Sequence, residues 1–299
     1  LAAENRFDWG KKVYGQREVP PLGYAPLRQA DQQPADAGFL FCGFYLEECM
    51  LIQNHQVDLD TPTGIMRCYV YRPKETPETA GKQWPAIILY SEIFQQTSPI
   101  RRSAQIMAGH GFIVVVPEVF HELNPIGTVL GYDDAGRDKG NADKVAKYLE
   151  AHDTDTRAMV DYLQNLPYYS GQLGAMGFCL GGGLAYRAAM HPAVRATSCF
   201  YATDIHSGMT PSQPGNDSLT RTADIKGELQ MIWGKQDPHI PAEGRARVYQ
   251  NLVEKGINFT WHEFNGVHAF MRDEGDRYDA ELQLLGYQMA IGLFRRCLY

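Results

Sequence analysis

Two continuous apolar runs, Ala86-Ile87-Ile88-Leu89-Tyr90 and Phe112-Ile113-Val114-Val115-Val116, constrain the fold of this 299-residue chain more than any other feature. Successive residues of a strand point to opposite faces, so a strand that is apolar at every position must be covered on both. That requirement is met in largely parallel sheets flanked by helices. Between the runs, Ser98-Pro99 supplies a cap and a first helical position, and Gly109 and Gly111 can end the helix, which gives one βαβ unit. The alternation continues from about Gly64. Residues 65–71 alternate as a half-exposed strand would, and Met159, Leu163 and Leu166 mark a helix that follows Asp153 and halts at Pro167. Further strands are expected at 173–178, 196–201, 229–233 and 259–264, with helices at 242–254 and 280–296. The expected fold class is α/β, with a mostly parallel central sheet and helices on both faces.

The first 63 residues read differently. Val19-Pro20-Pro21-Leu22-Gly23 and Gln32-Gln33-Pro34 lack lasting periodicity, so residues 1–63 are expected to form an irregular N-terminal arm and 64–299 the catalytic domain. Phe39, Phe41, Phe44 and Tyr45 would leave an aggregation-prone patch if bare, so the arm is expected to dock on the main body. With 28 basic against 35 acidic residues and no basic stripe, a nucleic-acid partner is not expected. No apolar run reaches the roughly 18 residues of a membrane span. The six cysteines, at 42, 49, 68, 179, 199 and 297, include no C-x-x-C pair and are too sparse for a disulfide scaffold. Reduced thiols in a cytoplasm are the default reading; export stays open, because the chain starts at Leu1 rather than methionine.

The sharpest chemical signal is Gly177-Phe178-Cys179-Leu180-Gly181, which follows an apolar run and precedes a stretch able to start a helix. A sharp strand-to-helix turn needs small residues two before and two after its apex, and it raises one side chain above the sheet. A thiol there also meets a helix N-terminus, whose unpaired N–H groups favour a thiolate. The bland alternative is a small buried cysteine in a glycine-rich helix start. Two further residues favour the chemical one. Asp237 follows the 229–233 strand and a glycine turn, and His268 follows the 259–264 strand, so nucleophile, acid and histidine stand in α/β-hydrolase order. Asp204 is a rival acid of lower rank, and His239 and His262 are less well placed than His268.

These residues resemble the dienelactone hydrolase family, α/β-hydrolases with a Cys-His-Asp triad. The likeness spans roughly 64–296 and rests on Ser91-Glu92-Ile93-Phe94, Gly177-Phe178-Cys179-Leu180-Gly181-Gly182, Gly234-Lys235-Gln236-Asp237-Pro238-His239-Ile240-Pro241 and Gly266-Val267-His268-Ala269-Phe270. It implies an α/β-hydrolase fold in which Cys179 is nucleophile, His268 base and Asp237 its orienting partner. It also implies that Glu92 takes part in switching the thiol to thiolate, that the backbone N–H groups of Ile93 and Leu180 form the oxyanion hole, and that Arg272 grips a substrate carboxylate. Arg137 stands at about the right distance before Cys179 for a second substrate arginine, without a local match. Ala269 departs from the serine common in the family.

A cysteine nucleophile restricts the substrate. A thiolate is a better leaving group than an alkoxide, so the tetrahedral intermediate proceeds only when an enolate, aryloxide or similar group can compete with it. The expected activity is hydrolysis of an activated ester, an enol lactone first, through an acyl-thioester. A carboxylesterase or thioesterase acting on another activated acyl group is the alternative within the fold, and a non-catalytic binding protein the alternative outside it. Gly131-x-x-x-x-Gly136 lacks the Lys-Ser/Thr of a P-loop, 138–143 lacks the marks of an EF-hand loop, and no histidines stand at zincin spacing. No metal and no cofactor are expected. The expected partner is a small-molecule ester or lactone, and a homo-oligomer is compatible with these features.

Overall fold

The structure is a computed structural model that describes residues 50–299. Its chain opens with a hairpin, β1 (Ile52–Thr61) and β2 (Gly64–Pro73), paired antiparallel along their full length. There follow β3 (Trp84–Tyr90), α1 (Ser98–Gly109), β4 (Ile113–Pro117), α2 (Asp134–Ala146), α3 (Leu149–Gln164), β5 (Tyr169–Phe178), α4 (Leu180–Ala188), β6 (Val194–Phe200), β7 (Glu228–Gly234), α5 (Ala242–Glu254), β8 (Phe259–Phe264) and α6 (Ala280–Leu298). The strands form one eight-stranded sheet in the order β1-β2-β4-β3-β5-β6-β7-β8. From β4 to β8 all neighbours are parallel; the β1–β2 and β2–β4 pairs are antiparallel, so β2 alone runs against the other strands.

The two apolar runs fall in the strands β3 and β4 at the centre, every residue of both buried. Helices cover the two faces. A Cβ on Gly174 would press on Phe294 of α6, whereas one on Gly177 would overlap the start of α4; an odd separation along β5 puts these residues on opposite faces. α1 joins α6, with Ser103 Oγ 2.7 Å from the Tyr287 hydroxyl. α3 joins α4, where Arg187 makes a two-pronged ion pair with Asp153 at 2.7 and 2.8 Å.

Two elements depart from the sequence expectation. The sheet begins at Ile52, on the N-terminal side of the boundary expected at 63/64. β1 is an edge strand with one face exposed and the other half-buried, where Val57 and Leu59 pack on the core, so it carries Gln53, Asn54, Gln56, Asp58 and Asp60 instead of an apolar run; Asp58 and Arg67 face each other across the hairpin and bond at 2.7 and 2.8 Å. Expectations about residues 1–49, including docking of the arm, lie outside the described residues. The second is α2, which has no apolar stripe. Its buried positions are Gly136, Gly140, Asp143 and Lys144. Asp133 caps it by accepting the Gly136 N–H at 2.8 Å, Asn124 donates to Asp143 at 2.9 Å, and Lys144 pairs with Asp204 at 3.3 Å. Gly140 is needed for close approach: a Cβ there would stand 2.7 Å from the Ile93 carbonyl oxygen.

Candidate active site

In an open parallel sheet, ligands bind beyond the carboxyl ends of the strands, where the strand order reverses. Here that point lies between β3 and β5, because the chain leaves β3 for β4 on one side and returns to β5 on the other. Glu92 follows β3, Cys179 follows β5, Thr203 follows β6, Asp237 follows β7 and His268 follows β8. All except Asp237 line one cleft of about 530 Å³, walled on its far side by Tyr132, Asp133 and α2. A larger hollow of about 670 Å³, between 205–220 and α5, has no histidine held by a buried acid.

Cys179 stands between β5 and α4 with φ 57 and ψ −122, a conformation L-residues rarely adopt and one that costs roughly 1–3 kcal/mol. The glycines around it have a steric cause. A Cβ at Gly177 would overlap the Gly181 carbonyl, and one at Gly181 would overlap the Tyr90 carbonyl of β3. The Cys179 N–H donates to Phe200 at 3.1 Å, and its carbonyl accepts from Gly182 and Thr203, both at 3.0 Å, which pins the turn to β6. The backbone N–H groups of Ile93 and Leu180 have no hydrogen-bond partner among the described residues, although both residues are buried.

His268 Nδ1 lies 2.6 Å from Asp237 Oδ2, and the other Asp237 oxygen accepts the His239 N–H at 2.8 Å. The second ring nitrogen of His268 is left for the Cys179 sulfur, which lines the same cleft and acts on the ring. Burial works against a charged ring, but negative charge on the Cys179 sulfur and the bonded Asp237 carboxylate outweigh it, and the His268 pKa is pushed up to about 10. Tyr201 and His239 meet the ring edge-on at 5.1 and 4.6 Å, so the imidazole is gripped on two sides as well as bonded. The next residue, Ala269, has φ 65. Backbone strain therefore brackets both ends of the Cys179–His268 contact.

Glu92 is buried, which raises its carboxyl pKa; Arg272, His268 and Tyr132 act in the opposite direction. Arg272 Nη1 lies 3.7 Å from Glu92 Oε2, and its guanidinium sits 4.3 Å from the ring centre of Tyr132 and 5.7 Å from that of Phe94. Arg272 is thus turned into the cleft. Arg137 reaches the rim of the cleft but is exposed and engaged with Asp134 and Asp138 at 2.7 and 3.0 Å. Asp204 faces Lys144, so it is Asp237 that bonds His268. His262 lies within β8 and stacks on Phe264. No motif marks Tyr132, Lys144 or Arg277, which line the cleft, and His239, less well placed than His268 by sequence, abuts the His268 ring.

Cys68, Cys199 and Cys297, the other described cysteines, are free, and burial pushes the thiol pKa of each up. Among the described residues, no cluster of three or more His, Cys, Asp or Glu could hold a metal ion, and no helix is long and apolar enough to cross a membrane.

A sequence profile described as "Dienelactone hydrolase family" matches residues 66–298. The chain is 40% identical over 232 residues to a Saccharomyces cerevisiae protein named "Putative carboxymethylenebutenolidase", covering 75% of this chain and 84% of that one. It is 26% identical over 204 residues to the carboxymethylenebutenolidase of Pseudomonas putida, covering 67% and 81%. A crystal structure described as a "Putative Dienelactone Hydrolase" from Klebsiella pneumoniae subsp. pneumoniae superposes with a TM-score of 0.71 at 20% identity, covering 82% of this chain and 99% of that one, and so shares the α/β-hydrolase fold. With the profile matched across nearly the whole described chain and a relative 40% identical, this protein is a hydrolase that belongs to the dienelactone hydrolase family.

Proposed function

We propose that the protein opens an activated ester, most readily an enol lactone, with Cys179 as nucleophile, His268 as general base and Asp237 as the group that orients it. The observation that carries this reading is the contact chain Cys179–His268–Asp237 beneath two unpaired backbone N–H groups. In the proposed cycle, Glu92 accepts the thiol proton and the Cys179 thiolate adds to the ring carbonyl. The oxyanion is received by the N–H groups of Ile93 and Leu180. Collapse expels the ring oxygen as an enolate, which leaves an acyl-thioester. Acylation removes the sulfur charge that raises the His268 pKa, so the ring gives its proton to the enolate and then takes one from water as hydroxide adds to the thioester; the thiolate departs from the second tetrahedral intermediate and Glu92 returns its proton. An enolate competes with the thiolate as a leaving group where an alkoxide does not, so simple alkyl esters and amides are poor substrates.

Arg272, beside Glu92 and against the rings of Tyr132 and Phe94, is the proposed holder of an anionic group on the substrate. Arg137, already engaged with two aspartates at the rim, is assigned the lesser share. The test is a hydrolysis panel of an enol lactone, aryl esters, acyl thioesters and an ethyl ester with wild type and Cys179→Ala. The expected result is turnover of the enol lactone, slow or no turnover of the ethyl ester, and loss of both in Cys179→Ala. Equal rates for the two proteins on the enol lactone would remove the cysteine mechanism, and faster turnover of thioesters would reassign the substrate.

A further inference from the structure

Tyr132 occupies a junction that neither the triad nor the family resemblance accounts for. It stands in the segment that leads into α2, two residues after a backbone bond from the Leu130 N–H to the Phe94 carbonyl at 3.1 Å. Its hydroxyl lies 2.7 Å from Thr97 Oγ1, at the start of α1, and donates to Glu92 Oε2 at 3.3 Å. Its ring supports the Arg272 guanidinium on one face and packs edge-on against Phe94, with centres 4.8 Å apart. One side chain therefore touches the carboxylate, the arginine paired with it and the wall of the cleft.

We propose that Tyr132 is a positioning residue, whose hydroxyl fixes the Glu92 carboxylate beside Arg272 in the cleft so that Glu92 can take the thiol proton. The proposal rests on the role given to Glu92 above. The Thr97 hydroxyl can donate to the Tyr132 oxygen, which leaves the tyrosine proton free to point at Glu92, and a buried carboxylate without that donor loses one of few groups that favour its charge. The other titratable or charged groups around Glu92 are Arg272, Arg277 and His268 from the segment after β8, Tyr201 after β6 and Cys179 at the turn. None of the N–H or O–H groups of its own loop donates to the Glu92 carboxylate among the described residues, so Tyr132 and Arg272 carry its orientation between them.

The experiment measures kcat/KM for p-nitrophenyl acetate from pH 5 to 9 in wild type, Tyr132→Phe, Glu92→Gln and the double variant, with rates referred to active sites titrated by the p-nitrophenolate burst. That reference removes any unfolded fraction from the comparison. Tyr132→Phe keeps the ring and its contacts and removes only the hydroxyl. The expected result is an acid limb displaced to higher pH, roughly tenfold lower rate at the acid end as one hydrogen bond to a charged group allows, and a plateau within about twofold of wild type. The double variant is expected to match Glu92→Gln, since the hydroxyl acts only through that carboxylate. If Glu92→Gln alters the acid limb while Tyr132→Phe superposes on wild type, or falls equally at every pH, the tyrosine is only structural and the inference is overturned. If Glu92→Gln itself leaves the profile unchanged, the role of Glu92 fails first and the inference falls with it.

Discussion

The carboxylate of Asp237 lies 2.6 Å from Nδ1 of His268, and both side chains are almost fully shielded from water. This contact fixes which ring nitrogen faces the thiol, and it separates Asp237 from Asp204, which follows the neighbouring strand but turns to Lys144. Asp237→Asn keeps the shape and offers the wrong hydrogen-bond character. It is expected to lower kcat/KM by about three to four orders of magnitude, as tautomer-inverting changes do in such triads. Asp204→Asn is expected to stay within about tenfold of wild type on the same activated ester, and the reverse ranking would overturn the assignment.

The turn at Cys179 predicts a trade between stability and activity. Cys179→Gly removes the side chain from a positive-φ position and is expected to raise stability by about 1 kcal/mol, or roughly 2–4 °C in Tm for a chain of this size, while abolishing turnover. Calorimetry and the ester assay together check it; a lower Tm would mean that the side chain stabilises the turn.

Gly181 should behave in the opposite way. Gly181→Ala drives a Cβ into the Tyr90 carbonyl of the central strand, where neither backbone can yield cheaply. A loss of about 3 kcal/mol or more is expected from urea unfolding, with soluble yield falling in step.

His268 links charge to folding. Its pKa is raised from 6.5 to about 10 in the folded protein, so the group binds its proton more tightly there than in the unfolded chain. The associated stabilisation is complete below about pH 6.5 and is lost as pH rises through about 10. Urea midpoints across this window should fall with pH in wild type and fall less in Cys179→Ala, which removes the sulfur charge that helps raise the histidine. A flat wild-type profile would refute the linkage.

The two cleft arginines should also part company. Arg272→Ala is expected to raise KM for an anionic ester tenfold or more over a neutral one, the loss of a charge-assisted contact. Arg137→Ala, at an exposed rim position already engaged with two aspartates, is expected to change it less than threefold.

Much of the sheet was legible because its centre is buried on both faces: continuous apolar runs at 86–90 and 112–116 have few other uses, and Phe259–Phe264 and Ala242–Glu254 fall where periodicity puts them. β1 and α2 were not, because an edge strand that packs little more than Val57 and Leu59 on the core and a helix seated by glycines and charges leave no lasting apolar rhythm. The helix expected after an acidic start at Asp153 begins earlier, at Leu149, whose N–H donates to the Pro211 carbonyl at 2.8 Å while Glu150 accepts the Gln213 N–H at 2.9 Å. In the site, Cys179, Asp237 and His268 could be found from short motifs that each follow a strand. Tyr132 could not, because its importance lies in bringing Thr97, Glu92 and Arg272 together, and they are distant from it in sequence.

The seating of α2 has a consequence for how the cleft responds to its surroundings. Most walls of the site are backed by tightly packed hydrocarbon, whose hold changes little with ionic strength. This helix instead rests on glycines and is fastened by an aspartate cap, a hydrogen bond from the Asn124 amide to Asp143 and the Lys144–Asp204 pair, so its seating depends on the charges of those side chains. Neutralising one of those side chains is therefore expected to loosen the α2 wall of the cleft while the hydrocarbon that backs Cys179 and His268 stays in place.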